Sequence, residues 1–168
     1  MTVIIMKKKY FSLISAILVF ALFTTGCGKT AVARDDVAVG DVSAAVVKAL
    51  GSEDAFVSAP ETYISGSMKM EVSDYDSYDI KINSKGVNID EFGIFKATDS
   101  TQVATIEQAV KNYLQLRLDT WMVEYMPEEH PKLENAEVKT FGNYVMYAIL
   151  SDDGRKTAFN TFEKGLTA

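Results

Sequence analysis

Cysteine and histidine, which often bind metals or act as nucleophile and base, occur once each in this 168-residue chain, as Cys27 and His130. One histidine cannot build a histidine-based metal site, and one thiol leaves no partner for a disulfide. The stability of the fold must therefore come from an apolar core. A hydrophobic fraction of 48%, with 11% aromatic residues, is sufficient for such a core and excludes disorder over most of the chain.

Positive charge is also scarce, since 17 lysines and arginines stand against 23 acidic residues and the net charge is −6. Nucleic acid is not expected as a partner, because phosphate binding needs clustered Lys and Arg. An acidic surface is repelled by anionic lipids, so any attachment to a membrane must come from another source.

The first 26 residues have the three-part organisation of a secretory signal peptide. They contain no acidic residue, carry the basic run Lys7–Lys9, continue with apolar Tyr10–Phe23 and end in the small residues Thr-Thr-Gly. The apolar run is shorter than the about 20 residues that a membrane-spanning helix needs. The residues before Met6 add nothing to this organisation, which predicts Met6 as the true start.

The sequence TTGC, which places Cys27 directly after the leader, resembles the lipobox of bacterial lipoproteins. In that pattern the cysteine receives a thioether-linked diacylglycerol and becomes the first residue after cleavage. Two acyl chains, at about 0.8 kcal/mol per buried methylene, hold a protein on a bilayer almost permanently. We therefore expect a lipid anchor on Cys27 and a location at the cell membrane, facing outward. The alternative is an ordinary signal peptide followed by a stray cysteine.

The remaining chain is predicted to be a tether followed by one domain. Residues 27–40 are small and polar, and the part after the cysteine spans at most about 45 Å when extended. Residues 41–168 have the size of a single domain. Asp41 is predicted to cap a first helix that ends at Gly51, and its buried face would hold Val42, Ala45, Val46, Ala49 and Leu50.

The centre of the chain predicts strands and one long helix. A strand is indicated at residues 67–72 and a better one at Glu91–Ala97, where Phe92 and Ile94 face one side and Phe95 the other. Asp99 or Ser100 is predicted to cap a helix, about 40 Å long, that continues to Pro127. Its inward residues recur at three- and four-residue steps: Val103, Ile106, Val110, Tyr113, Leu114, Leu118, Trp121 and Tyr125.

The C-terminal part predicts a hairpin and a last helix. Residues 136–140 and 144–151 would pair around Gly142 and Asn143, both able to take the positive φ of a tight turn. Residues 152–166 would form a helix that points Phe159, Phe162 and Leu166 inward. This order of elements predicts an α+β fold: a small, mainly antiparallel sheet covered by one long amphipathic helix and two shorter helices, in a single helical layer.

These elements carry a resemblance to a known family. The stretch FGIFKA, the long helix after it and residues 124–153 with the closing helix resemble small lipoproteins of Gram-positive bacteria that contain a domain of unknown function of the 4358 type. The resemblance covers roughly Asp41–Leu166. It implies lipoprotein status, and it implies no catalytic residue because the family has no known substrate.

Few residues suggest chemistry. His130 formally permits a Ser-His-Asp triad, but no nucleophile-elbow pattern accompanies it, which favours a solvated loop histidine. Asp74, Asp76 and Asp79 suggest oxygen ligands for Ca²⁺. The sixth and twelfth positions of that stretch lack the glycine and glutamate that a calcium loop requires, which favours a solvated acidic turn. No cofactor, metal site or catalytic residue is predicted.

Arg117 is predicted to lie on the buried face of the long helix, where a charge needs a partner. Glu124 is one candidate, and stacking of the guanidinium on Trp121 is the interpretation that we favour. Arg117, Trp121 and Tyr125 are the residues expected to form a functional surface. A sugar-stacking platform is a further hypothesis, although aromatic residues at core periodicity usually belong to the core; its members would be Tyr75, Tyr78, Trp121, Tyr144 and Tyr147.

Three functions are compatible with this sequence. We favour a non-enzymatic binding or accessory module that contacts an envelope protein or wall glycan. One alternative is a cell-wall hydrolase that uses carboxylates of Asp74, Asp76, Glu128 or Glu129. The other is a small solute-binding lipoprotein, although such proteins normally have two lobes.

Overall fold

The computed structural model describes residues 32–122 and 124–168, except for the side chain of Val72. The predicted leader, the start at Met6 and the lipid site Cys27 lie outside the described residues. The helices are α1 (Val39–Ala49), α2 (Glu61–Tyr63), α3 (Ser100–Asp119), α4 (His130–Glu134) and α5 (Asp152–Leu166). The strands are β1 (Phe56–Ser58), β2 (Ser77–Asn83), β3 (Glu91–Lys96), β4 (Glu137–Phe141) and β5 (Tyr144–Ile149).

The strands form one antiparallel sheet in the order β1-β2-β3-β5-β4. The predicted strand at Glu91–Ala97 is confirmed as the central strand β3, which pairs with β2 and β5 along its whole length. Side chains of a strand alternate between the two faces of a sheet. Phe92 and Ile94 accordingly enter one core and Phe95 enters the other, as predicted.

The antiparallel sheet and the long helix confirm the α+β class, but the expectation of a single helical layer is wrong. Helices α1 and α5 pack on the face of Phe92 and Ile94, whereas α3 and the segment Glu61–Met68 pack on the face of Phe95. The reason lies in β5, whose residues are all buried. A strand that is apolar on both sides needs cover on each of them.

The strand registers define two ends of the sheet. At one end Lys96 pairs with both Ser77 and Tyr144, next to the β4–β5 turn, and we call it the turn end. At the other end Glu91 pairs with both Ile82 and Ile149, and we call it the Glu91 end. Strands of six residues place the two ends about 20 Å apart.

Helix α1 begins three residues before the predicted start, and the prediction of Asp41 as its cap is wrong. The residue before the helix is Ala38, whose carbonyl accepts from the amide of Asp41 at 3.1 Å. The helix starts early because Val39 is buried against the core, only 3% exposed. Asp41 lies in the first turn instead, where its charge interacts favourably with the helix dipole.

The predicted buried face of α1 is correct at Val42 and Val46 but wrong at Ala45 and Ala49, which are exposed. Ser43 and Val47 are buried in their place. The helix contacts α5 on one side and strands β2 and β3 on another, so its buried stripe is rotated relative to the one that the alanines suggested.

Helix α3 has the predicted N-terminus but not the predicted length. The Asp99 side chain accepts from the amides of Thr101 and Gln102, as an N-cap does. The helix ends at Asp119 rather than before Pro127. The Thr120 hydroxyl donates to the Leu116 carbonyl at 2.7 Å, and the Thr120 amide donates to the same carbonyl at 3.1 Å. At 20 residues, α3 is about 30 Å long.

The predicted hairpin and last helix are confirmed. Strands β4 and β5 pair from Phe141↔Tyr144 onward, across a two-residue turn. Gly142 has φ 59°, whereas Asn143 has no positive φ, so one of the two expected left-handed residues is present. A two-residue hairpin turn with one left-handed residue has glycine at its first central position, which is the position of Gly142. In α5, capped by the Ser151 side chain, Phe159, Phe162 and Leu166 are buried as predicted.

The strand predicted at residues 67–72 is wrong. A π-helix covers Ile64–Met68, and a 3₁₀ turn covers Val72–Asp74. The buried side chains of this stretch are Ile64, Met68 and Met70, which keep it against the core without a neighbouring strand. Lys69 closes the π-helix in the left-handed region, with φ 58° and ψ 36°.

The chain before α1 is docked on the domain. Ala33 forms an isolated antiparallel bridge with Thr167, and the Arg34 amide donates to the Leu166 carbonyl at 2.7 Å. The Tyr144 hydroxyl donates to the Val37 carbonyl at 2.7 Å. We call Val32–Ala38 the docked segment, because these contacts fasten it to the C-terminal end of α5 and to β5.

Among the residues that the structure describes, no helix combines the length and the hydrophobicity that crossing a membrane requires.

Lys69→Gly is expected to raise the free energy of unfolding by about 0.5–1 kcal/mol, because glycine adopts the left-handed region without the steric cost that lysine bears there. Urea denaturation measures the change. Lys69→Ala is the matched control, since alanine removes the exposed side chain but keeps the unfavourable backbone. An equal gain from alanine would show that the lysine side chain, and not its backbone, is the source of the effect.

Candidate functional site

The carboxylate of Glu91 is almost completely buried at the Glu91 end of the sheet. Glu91 is the first residue of β3 and is only 2% exposed. It shares a sheet face with Gly93 and Phe95, because alternate residues of a strand point the same way. The carboxylate therefore lies between the sheet and α3, where an unpaired charge would be costly.

Four side chains donate hydrogen bonds to this carboxylate. Oε1 accepts from the hydroxyls of Tyr113, at 2.7 Å, and Tyr147. Oε2 accepts from the hydroxyl of Tyr63 at 2.8 Å and from Nη1 of Arg117 at 2.6 Å. We call these five residues the Glu91 cluster.

The donors come from three separate parts of the fold. Tyr63 ends α2, Tyr113 and Arg117 lie one turn apart on α3, and Tyr147 lies on β5. Tyr147 is directly opposite Gly93 in the strand register. A side chain at Gly93 would clash with the Tyr147 ring, so glycine is what allows this ring to lie over β3.

The members of the cluster are also in contact with one another. The hydroxyls of Tyr63 and Tyr113 are 2.9 Å apart, and Nη1 of Arg117 donates to the Tyr113 hydroxyl at 3.1 Å. The rings of Tyr113 and Tyr147 meet edge to face, with centroids 5.8 Å apart. The guanidinium carbon of Arg117 lies 5.9 Å from the centroid of the Tyr113 ring.

Burial keeps the phenols of the cluster protonated. It raises the pKa of Tyr63 to about 12, and the negative charge of Glu91 acts in the same direction. The same two causes raise the pKa of Tyr113 and Tyr147 well above the ordinary value. Burial alone would lower the pKa of Arg117, but the adjoining Tyr113 and Glu91 outweigh it and raise the pKa. The cluster thus combines one anion, one cation and three neutral donors.

This arrangement suits Glu91 to positioning rather than to proton transfer. A carboxylate has about four lone-pair sites, and four donors occupy them here. The pair with Arg117 compensates the charge, while the hydroxyls satisfy the remaining sites. The result is a polar connection that joins β3, β5, α2 and α3 through one side chain.

A second ionic group lies directly beside the cluster. The Nζ of Lys132 donates to Asp90 at 2.8 Å and to Glu129 at 2.9 Å. The same Glu129 oxygen accepts from the amide of Ile89 at 3.0 Å. These bonds fasten α4 and the turn before it to the loop that leads into β3. They therefore help to hold Glu91 in place from the solvent side.

The partners predicted for Arg117 are wrong, although its burial is as expected. Arg117 pairs with Glu91, and neither Glu124 nor the Trp121 ring is its partner. Trp121 stacks on His130 instead, with ring centroids 5.6 Å apart. Tyr125 lies beyond the end of α3 and is 59% exposed, so it is not on an inward helix face.

His130 is not the solvated loop histidine that the sequence suggested. It begins α4, is stacked on Trp121, and its Nδ1 lies 3.6 Å from a carboxylate oxygen of Glu134. Of the predicted surface, Trp121 therefore joins His130, Arg117 joins the Glu91 cluster and Tyr125 faces solvent.

The sugar-stacking platform is wrong for two of its members. Tyr144 and Tyr147 are fully buried and lie in opposite cores of the sheet. Tyr75 and Tyr78 pack edge to face near Phe95, in the core that also holds Tyr147. The aromatic residues therefore serve the core, as the alternative interpretation held.

Two acids of the predicted calcium-like stretch, Asp76 before β2 and Asp79 within it, are paired with lysines of the sheet. Asp76 lies 3.4 Å from Nζ of Lys96, and Asp79 lies 3.1 Å from Nζ of Lys81. Within residues 32–122 and 124–168, no group of three or more histidine, cysteine or acidic side chains is arranged to hold a metal ion.

Sequence reasoning missed Glu91 as the centre of the site. A signal was present, because Glu91 alternates with Gly93 and Phe95 onto a face that the flanking apolar residues predict to be buried. A charged residue on such a face needs partners, and a search for donors at inward helix positions leads to Tyr113 and Arg117. The contribution of Tyr63 and Tyr147 had no comparable sequence signal.

The fold and the cluster together define a small α+β domain whose sheet and long helix share a buried carboxylate. Over residues 57–150 the chain matches the family described as Domain of unknown function (DUF4358). This match covers more than half of the chain, which therefore belongs to that family, and the predicted resemblance to a domain of the 4358 type is confirmed over these residues. No curated protein and no solved structure gives a significant match.

Glu91→Gln is expected to lower the free energy of unfolding by about 3 kcal/mol or more, since it leaves Arg117 unpaired and weakens three phenol hydrogen bonds. Denaturation in urea measures the loss. The matched control is Glu137→Gln, which removes a carboxylate from an ion pair with Arg155 but at a half-exposed position. It is expected to cost about 1 kcal/mol or less. Similar losses in the two variants would contradict the special role of Glu91.

The raised pKa of Tyr63 predicts a loss of stability in alkali. The unfolded phenol ionises near pH 10, but the folded one only near 12, so the folded state is disfavoured as pH rises from 10 to 12. Tyr63→Phe removes this linkage. The stability lost between pH 9 and pH 11 is expected to be smaller by about 1 kcal/mol in the variant.

Urea denaturation at the two pH values gives this difference, whatever the variant costs at neutral pH. Tyr125→Phe, which removes an exposed hydroxyl outside the Glu91 cluster, serves as control. An unchanged alkaline loss in Tyr63→Phe would show that the Tyr63 phenol is not held protonated by the fold.

Proposed function

We propose that this protein is a membrane-anchored lipoprotein on the outer side of the cell membrane, where it acts as a non-enzymatic binding or accessory module. The observation that carries the proposal is the placement of Cys27. It directly follows a leader-like segment and precedes the docked segment by a few residues. Membership of the DUF4358 family is consistent with this proposal and names no activity.

The positions of the candidate acids favour binding over hydrolysis. Asp74 and Asp76 lie next to the turn end, where the Asp76 amide donates to the Lys96 carbonyl. Glu129 lies near the Glu91 end, bound to the Ile89 amide. The two groups are separated by about the length of the sheet, some 20 Å, whereas an acid and base that act on one glycosidic bond are about 5–10 Å apart.

The candidate acids form two groups, Asp74 with Asp76 and Glu128 with Glu129. In each group, one carboxylate forms an ion pair with a lysine. Asp76 faces Lys96, and Glu129 faces Lys132. These ion pairs engage Asp76 and Glu129 with neighbouring lysines. A hydrolase that uses these residues is therefore the weaker proposal.

A binding role is favoured by the apolar side chains that the domain exposes. Met122 and Tyr125, which follow α3, are 67% and 59% exposed, and Val87 in the β2–β3 loop is 71% exposed. Val87 lies in the loop that leads into β3 at the Glu91 end, and Met122 and Tyr125 follow the end of α3 that carries Arg117. Exposed aromatic and methionine side chains with an arginine nearby are typical of protein contacts. We therefore place the contact with an envelope protein at this end.

Cys27→Ala is the direct test of the anchor. The variant is expected to leave the membrane fraction, because without the two acyl chains no other feature attaches the acidic chain to lipid. Mass spectrometry of the mature wild-type N-terminus is expected to show a diacylglycerol on Cys27. The control is Ser100→Ala, an exposed residue of the domain, which should stay with the membrane. An unmodified thiol on protein free in the medium would overturn the proposal.

A further inference from the structure

The docked segment limits how far the domain can move from a lipid on Cys27. Its contacts with Thr167, Leu166 and Tyr144 are backbone bonds or bonds to a backbone carbonyl. In addition, Ala168 donates its amide to the Val32 carbonyl at 3.1 Å. The part of the predicted tether after residue 31 is thus part of the domain surface. Only residues 28–31 separate Cys27 from it.

This short connection sets a distance by covalent geometry alone. Five residue steps from Cys27 to Val32 span at most about 18 Å, even when the chain is fully extended. The sequence-based estimate of about 45 Å assumed that residues 28–40 were all free. The bilayer that holds the acyl chains must therefore lie within about 18 Å of Val32.

The contacts of the docked segment identify the side of the domain that is closest to the bilayer. Tyr144 begins β5 at the turn end, and Ala33 lies against Gly142 of the β4–β5 turn, so that a Cβ on this glycine would approach Ala33 Cβ to 2.6 Å. Helix α3 also begins at this end, because the Ala97 amide just before it donates to the Asn143 carbonyl at 2.8 Å. Ser100 is therefore near the bilayer side.

The opposite side is defined by the far end of α3. The helix is about 30 Å long, and Arg117 near its C-terminus reaches Glu91 at the other end of the sheet. Met122 lies three residues after the end of α3 and is exposed. Ser100 and Met122 thus mark opposite ends of the domain.

Charge keeps the turn end from lying flat on lipid. Its acidic residues outnumber its basic ones: Asp35, Asp36, Asp76, Asp99 and Glu163 against Arg34, Lys96 and Lys164. Anionic headgroups repel such a surface within about one Debye length, about 8 Å at physiological ionic strength. This repulsion pushes the turn end away from the bilayer and extends the tether along the membrane normal.

We propose that the docked segment orients the domain on the bilayer, with the turn end facing the lipid and the Glu91 end presented outward. The proposal rests on the lipid attachment proposed above and adds to it the surface that a partner meets first. A free tether of 13 residues would let the domain rotate, whereas a docked one restricts it. The exposed residues Val87, Met122 and Tyr125 are then carried on the side away from the membrane.

Energy transfer from single labelled cysteines to acceptor lipids tests this orientation. Lipidated Ser100→Cys and Met122→Cys proteins, in which the lipid occupies the Cys27 sulfur, are labelled with fluorescein. They are then placed on phosphatidylglycerol vesicles that contain rhodamine lipid. The distance of closest approach to the bilayer is expected to be shorter by about 20–30 Å for the Ser100 label, as the length of α3 requires. Ala168→Cys and Val87→Cys form a second pair should either variant fail to fold.

The matched control inserts 20 Gly and Ser residues between Gly28 and Lys29. Such a linker has a root-mean-square length of about 25 Å, so the difference between the two labels is expected to disappear. Equal distances with the native tether, on protein shown by mass spectrometry to carry the diacylglycerol, would overturn the orientation and leave the anchor intact. Recovery of protein without the diacylglycerol would overturn both proposals.

Discussion

The buried carboxylate of Glu91 is the constraint on which the described fold depends most. A charge on the inner face of a central strand is tolerated because four donors reach it, three of them neutral phenols and one the guanidinium of Arg117. Each donor fixes the element that carries it. The position of α3 over the sheet, the placement of α2 and the glycine at position 93 all follow from the need to satisfy one side chain.

The residues that satisfy this carboxylate are distinct from the exposed residues that we propose for binding. Glu91 and Arg117, the charged residues that a search for chemistry finds first, are occupied with each other and with tyrosines. Exposed apolar side chains lie instead in the loops that follow α3 and precede β3. The docked segment lies at the other end of the sheet, so the proposed attachment at the turn end would leave the Glu91 end accessible.

The sequence predicted those elements that are determined by residues close together in the chain. The sequence correctly predicted the cap at Asp99, the alternation in β3, the turn at Gly142 and the apolar face of α5. The sequence did not predict the end of α3, because Trp121 continues the helical spacing but lies outside the helix, where it is partly buried and stacked on His130. The Glu91 cluster combines residues 22 to 56 positions away from Glu91, and only the strand register brings Tyr147 opposite Gly93.

The energetic coupling between Glu91 and Arg117 tests the central claim most directly. Glu91→Gln, Arg117→Met and the double variant form a thermodynamic cycle in urea denaturation. Removing either partner leaves the other unsatisfied, so the second substitution should cost little once the first is made. The account predicts that the double variant is more stable, by at least about 1 kcal/mol, than the sum of the single losses implies. Additive losses would contradict it.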